Sequence, residues 1–241
     1  ALPISNYILT KIFEEGCSFQ TALLQAQQLG FAESNPTLDI GGYDAVNKWV
    51  LLLTHAYGIV TQPSEIVFTG IEQIESSDAR YAQEKQSQIK LVAEARKLKT
   101  GKVAAFVLPQ FVENNDPLAF VKNEYNGVVI ESGLADKQFF YGKGAGSFPT
   151  ASAVLSDLSA LRYNYRYEYK KWLHHIPPML TQDFYLRVYL SFNKWKDIPH
   201  EEFEWIEEWH TASERNYLVG VIHFSSLAKQ TWWKEIGRAH V

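Results

Sequence analysis

The sequence predicts an α+β fold, with helices packed on one face of a mixed, mostly antiparallel sheet and a small α/β region after it. Three observations lead there. Val46, Trp49, Val50, Leu53, Ala56 and Tyr57 recur at spacings of three and four, the period of a helix with one buried stripe. Between residues 90 and 141 the runs become short, apolar or alternating, and Gly, Asn and Asp separate them, as strands require. Past residue 162 strand-like and helix-like patterns alternate. A chain of 241 residues that is 46% hydrophobic can bury a sizeable core, as one large or two small domains.

Taken in order, residues 6–15 and 18–29 read as helices, with Gly16 ending the first and Ser18 capping the second. Asn35-Pro36-Thr37 forms a turn, and the pair Gly41-Gly42 permits backbone angles that other residues avoid. The helix that follows carries Leu51 and Leu52 on its flanks, so it reads as buried. Lys48, near its start, would then be partly stripped of water and titrate closer to neutrality. Residues 76–88 are polar and helical in pattern. Strands are expected at 90–98, 103–107, 127–131 and 138–141 in a mixed or antiparallel sheet, with Asp116-Pro117-Leu118 as a capped helical turn between two of them. A glycine-rich turn at 142–150 enters a helix at 151–162. Beyond it come a strand at 183–192, a helix at 201–211, a strand at 217–224 and a helix at 225–235.

Charge and composition exclude several roles. The net charge is -4, and the densest basic run, Arg162 to Lys171, interleaves tyrosines with cations in the manner of a solvated helix face, so no nucleic-acid partner is expected. The single cysteine, Cys17, cannot form an internal disulfide; it fits a reducing compartment and reads as packed, not reactive. No apolar run approaches membrane-spanning length. His174-His175 precede Pro177-Pro178 without further ligands at metal spacing, so they read as loop residues and no metal site is expected.

The richest chemistry lies between residues 26 and 48, where Glu33, Asp39 and Asp44 surround the turn and Lys48 follows Asp44 by four residues. Spacing alone leaves two readings open: an ordinary surface ion pair on a helix, or a site in which a lysine exchanges protons beside carboxylates. Asp44 would hold the lysine charged, and burial would oppose it. The succession Ala26, Gly30, Phe31, Ala32, Asn35, Pro36, Asp39, Ile40, Gly42, Asp44 and Lys48 resembles the signature of homoserine dehydrogenases at every fixed position. That resemblance implies that Lys48 passes a proton to or from the substrate oxygen and that the Glu33 carboxylate holds the substrate amino group. Asp39 and Asp44 would line the site and position substrate and lysine.

The stretch Gly142 to Thr150 lets backbone amides approach an anion at a helix start, or serves as a tight strand-to-helix connection; no dinucleotide fingerprint surrounds it. With the following residues it resembles the family's segment where the chain returns to its cofactor domain, which implies contact of Gly146, with Gly144 and Ala145, to NADP or NAD. The family would also place Asn-Gly-Thr before Ser5, where Leu2-Pro3-Ile4 stand, and a nucleotide-binding domain ahead of it. Residues 5–162 are thus expected to be the substrate domain. Residues 163–235 resemble the appended ACT-type domain, except that residues 193–199 replace its Pro-Gly turn, so docking or a dimer contact is as good a reading as effector binding. Residues 1–4 and 236–241 read as opposite strands of one sequencing adapter. The resemblance implies cytoplasmic NAD(P)-dependent interconversion of aspartate semialdehyde and homoserine in threonine, methionine and isoleucine biosynthesis, by a homodimer in contact through the sheet. A non-catalytic amino-acid-binding or oligomerisation module with the same fold is the alternative.

Overall fold

The computed structural model describes residues 3–166, 176–212, 215–229 and 237–240. Helices α1 (Pro3–Glu15), α2 (Phe19–Gln28), α3 (Thr37–Ile40) and α4 (Tyr43–Tyr57) come first, then β1 (Val67–Phe68) and α5 (Ser76–Glu84). Strands β2 (Ser87–Lys97) and β3 (Val103–Glu113) form the longest hairpin, and β4 (Tyr125–Ser132) with β5 (Asp136–Lys143) form a second. Helix α6 (Ser147–Arg162) follows, and then β6 (Tyr185–Phe192), β7 (Phe203–Thr211), β8 (Asn216–His223), α7 (Phe224–Lys229) and β9 (Gly237–His240).

The predicted mixture of helices and small mixed sheets is present, and its strands sort into three sheets. The central sheet has the order β1-β3-β2, with β1 parallel and β2 antiparallel to β3. β4 and β5 pair only with each other, not with the central sheet as expected. The third sheet, order β7-β8-β6-β9, is antiparallel throughout. Residues 237–240, read from the sequence as lying outside the fold, form its outer strand beside β6.

β3 joins the layers. Every residue from Val103 to Pro109 is buried, and successive side chains face opposite ways along a strand. Val103, Ala105 and Val107 pack into the helical core with Ile8, Ile12, Val46 and Leu53. Ala104, Phe106 and Leu108 pack into the third sheet's core with Leu186, Val188, Leu190, Leu218 and Ile222. The helices therefore cover one face, and the C-terminal sheet covers the other. A second contact between these layers is aromatic: Tyr81 of α5 meets Tyr189 at 4.5 Å and Tyr217 at 4.8 Å, and the Tyr189 hydroxyl donates to the buried Asp78 carboxylate. The segment after residue 175 latches onto β3, since Val103 N donates to Met179 O and Thr181 N to Val103 O, both at 2.9 Å.

Three further expectations fail. Residues 203–211 form a strand instead of a helix, because two irregularities, at Phe203/Trp205 and Ile206/Glu208, disrupt the alternation that would have announced it. β7 is also the sheet edge, so Trp205 and Trp209 stay exposed. The helix expected at 225–235 is present over Phe224–Lys229, and residues 230–235 lie outside the described residues. The expected buried helix is α4, and it is buried on one side only: Ala45, Val46 and Leu53 are covered, whereas Leu51 and Leu52 face outward. Among the described residues nothing covers the far side of α4. Lys48 is accordingly exposed. His174 and His175 lie outside the described residues.

One polar group is buried where the pattern gave no warning. Lys90 on β2 is 2% exposed, and its ammonium donates to Asn6 Oδ1 at 2.9 Å and to Val121 O at 2.6 Å. Loss of water drops its pKa from 10.5 to about 8; Lys122 adds to the fall, and Glu14 opposes it. Between those two values the unfolded chain holds the proton more tightly than the folded one, so stability rises with pH across that window. Denaturant unfolding from pH 8 to 10 should show this rise in the wild type, and Lys90→Met should flatten it. Truncating Phe106 removes a ring shared with Phe184 and Phe224, so Phe106→Ala should lower the unfolding free energy by about 3–5 kcal/mol in the same assay.

Candidate active site

The turn between α2 and α4 is built by local rules. The Ser18 hydroxyl accepts from Thr21 N and starts α2. Asn35 Oδ1 accepts from the backbone and hydroxyl of Thr37 at 3.3 and 2.7 Å, closing the turn into α3. Gly42, at φ +82°, then reverses the chain into α4. Both glycines of the pair are needed for contact as well as for angle. A Cβ on Gly42 would lie 2.7 Å from Thr69 O, and one on Gly41 2.7 Å from Thr37 O. The closest approach involves Gly70, a residue the sequence gave no reason to single out: its Cβ would fall 1.8 Å from Ile40 O, the same oxygen that accepts from Ile71 N at 2.7 Å. The segment after β1 thus clamps the turn to the sheet, since Thr69 N donates to Val107 O of β3.

This frame brings the four charged residues together. Lys48 Nζ donates to Asp44 Oδ2 at 2.7 Å, with the lysine side chain 52% exposed and the aspartate 33%. Asp39 is half-buried beside them. Partial loss of water pushes its carboxyl above the ordinary aspartate value, repulsion from Asp44 and Glu33 adds to the rise, and Lys48 opposes it. Glu33 is exposed, and its backbone oxygen accepts from the Gln27 side chain at 3.0 Å. The buried Ser5 hydroxyl donates to Asp39 O at 3.0 Å and ties the turn to α1. Three carboxylates and one ammonium on an open surface can hold a small substrate bearing an amine, and they place a proton donor beside it.

The second stretch stands apart. Gly144 N donates to Glu124 O at 3.1 Å, and Lys143 pairs with Glu124 at 3.1 Å, so the turn is rooted in the β4–β5 hairpin. Gly146, at φ +112°, leads into α6, and a Cβ there would meet only Pro149. Gly144 and Gly146 flank Ala145, all near the unshielded amides of a 16-residue helix none of whose side chains is buried. Among the described residues no hydrogen bond or ion pair joins this turn to residues 33–48. Among the described residues no strand with a glycine fingerprint completes a phosphate cradle around it.

A family model for homoserine dehydrogenase matches residues 4–159. The chain belongs to the homoserine dehydrogenase family. It is 39% identical over 154 residues to the homoserine dehydrogenase of Lactococcus lactis subsp. lactis, which is 64% of this chain and 36% of that protein. A crystal structure of a homoserine dehydrogenase from Thiobacillus denitrificans is similar over 99% of this chain and 61% of its own, with a TM-score of 0.76 and 25% identity. A hyperthermophilic archaeal homoserine dehydrogenase in complex with NADPH is similar over 68% of this chain and 46% of its own, with a TM-score of 0.52 and 28% identity. The chain therefore spans little more than a third of the length of the curated homoserine dehydrogenase it matches.

No group of three or more His, Cys, Asp or Glu able to hold a metal ion occurs among the described residues, and no described helix is long and apolar enough to cross a membrane. Cys17 is half-buried, and loss of water pushes its thiol up, away from the reactive thiolate. The raised carboxyl of Asp39 carries a stability signature. Its folded value exceeds its unfolded one, so ionisation penalises folding above the unfolded value and not at lower pH. Asp39→Asn should raise Tm by about 1–3 °C at pH 7 and leave it unchanged near pH 3, as read by thermal melts at both.

Proposed function

We propose that this chain is the substrate-binding part of an NAD(P)-dependent homoserine dehydrogenase that interconverts L-homoserine and L-aspartate 4-semialdehyde in the cytoplasm, within threonine, methionine and isoleucine biosynthesis. The observation that carries the reading is the convergence of Glu33, Asp39, Asp44 and Lys48 around one glycine-clamped turn. Residues 5–162 form the substrate domain in this proposal, and residues 163–235 form a docking region of ACT-like type.

In the direction of oxidation, Glu33 holds the substrate ammonium, with Asp39 and Asp44 adding negative charge around it. Lys48 must be neutral to accept the hydroxyl proton, and it returns that proton to the carbonyl oxygen in the reverse direction. NAD(P), when bound, supplies hydride acceptance at the carbinol carbon. Gly144, Ala145 and Gly146 would touch it at the edge through backbone amides. Lys48 is half exposed and paired with Asp44, so this mechanism calls for a covering surface that removes water from the site.

Two features support such a cover. Leu51 and Leu52 on α4, and Phe148, Leu155, Leu158 and Leu161 on α6, are exposed apolar side chains on the two helices that flank the candidate residues. The length of the relatives leaves ample chain for a nucleotide-binding domain to lie over them. A homodimer through the sheet region belongs to the same reading.

The test fuses the nucleotide-binding part of the Lactococcus lactis relative ahead of this chain and measures homoserine oxidation by NAD(P) reduction. Lys48→Ala should lower kcat by about 10²–10⁴-fold with the homoserine KM changed only a few-fold. Full activity in the variant would remove Lys48 from the mechanism. An inactive wild-type fusion that still binds homoserine would move the chain to a non-catalytic amino-acid-binding module.

A further inference from the structure

We propose that Lys90 is a positioning residue which, through Asn6, holds the substrate turn and the cofactor turn in one register. The inference rests on the functional reading above for the names of the two turns, and on geometry alone for the joint between them.

The joint has two arms that meet at one side chain. Asn6 Oδ1 accepts from Lys90 Nζ, and Asn6 Nδ2 donates to Asn123 O at 3.0 Å and Tyr125 O at 3.3 Å. Lys90 itself reaches past Asn6 to Val121 O at 2.6 Å. Thr10, one turn along α1, donates to Asn6 O at 2.7 Å and accepts from Asn123 N at 3.3 Å. Asn123 is held at φ +53°, a left-handed angle that sets the direction in which the chain enters β4. Lys122 pairs with Glu14 at 2.5 Å on the outer side of the same loop.

The first arm leads to the substrate turn, since Ser5, the neighbour of Asn6, donates to Asp39 O. The second leads to the cofactor turn, since Glu124, between the two acceptors of Asn6, receives Gly144 N and pairs with Lys143. Segments more than a hundred residues apart are thereby fixed to the same pair of α1 residues.

The identity of the central group argues for this role over simple packing. Neither hydrogen bond recorded for the Lys90 ammonium goes to a carboxylate, although the side chain is almost fully buried. Such burial is costly, and an apolar residue of similar length would fill the space without that cost. A lysine gives what an apolar residue lacks, several donors that fix two carbonyl acceptors on different segments.

The test has a readout that needs no activity and one that does. In the chain as it stands, Lys90→Met should speed amide exchange at least tenfold in residues 39–41, 122–125 and 144, while residues 103–108 of β3 stay protected. In the active fusion, Lys90→Met should raise KM for both homoserine and cofactor about tenfold with a smaller change in kcat. Ser5→Ala should raise the homoserine value alone, and Asn6→Asp, which keeps an acceptor for Lys90 but removes the donor to Asn123 and Tyr125, should raise the cofactor value alone. Exchange that is unchanged, or that accelerates equally in β3, would overturn the proposal. So would equal effects of Ser5→Ala and Asn6→Asp on both KM values. Should Lys90→Met fail to fold, those two milder variants carry the same test. An inactive wild-type fusion would overturn the functional reading and leave the exchange result to decide the joint.

Discussion

β3 is buried on both faces, and the rest of the molecule depends on that. A strand covered on one side can alternate apolar and polar side chains, but Val103 to Pro109 has no polar side chain because each face meets a different core. The helices that carry the candidate site rest on one row of its side chains, and the C-terminal sheet rests on the other. Their relative placement is therefore set by a single strand in which neither row can slip without exposing the other. Tyr81, Tyr189 and Tyr217 add a second contact, and the Tyr189 hydroxyl joins Glu75 N in donating to the buried Asp78 carboxylate.

The site is made of close backbone approaches more than of side-chain packing. Gly42 and Gly70 let residues 40–42 and 69–71 lie against each other at distances no Cβ would allow, and that contact aims α4 so that Asp44 and Lys48 face Asp39. Charge then does the rest. Asp39 is crowded by two like charges and one opposite one, an arrangement that destabilises the empty site and suits it to a cationic ligand. The exposed apolar side chains on α4, α6 and the β4–β5 hairpin lie on the parts of the molecule that carry the candidate chemistry, which fits a site finished by another layer of protein.

The family relation and the geometry contribute different things. Membership follows from a match over residues 4–159, while the roles of Lys48 and its carboxylates are what the resemblance of their signature implies and belong to the proposal. The exposure of Lys48 is informative for the same reason. The proposed role needs Lys48 in a site closed to water, and here its side chain is half exposed, so that reading calls for a further layer over the surface.

By itself the sequence determined the elements whose signals are local. Ser18 caps α2, Asn35 closes its turn, Gly42 starts α4, and the 3.6-residue stripe of α4 names the residues that touch the core. The strands at 90–98 and 103–107 were legible as apolar runs, and so was the cluster of Glu33, Asp39, Asp44 and Lys48, because those residues lie within sixteen positions of one another. Tertiary structure decided the rest, for reasons of distance and neighbours. It exposed Leu51, Leu52 and Lys48 because, among the described residues, nothing covers the far side of α4. It buried Lys90 because an α1 residue 84 positions away supplies its acceptor. It made 203–211 a strand because β8 offers an edge, and no local pattern records a partner that folds beside it.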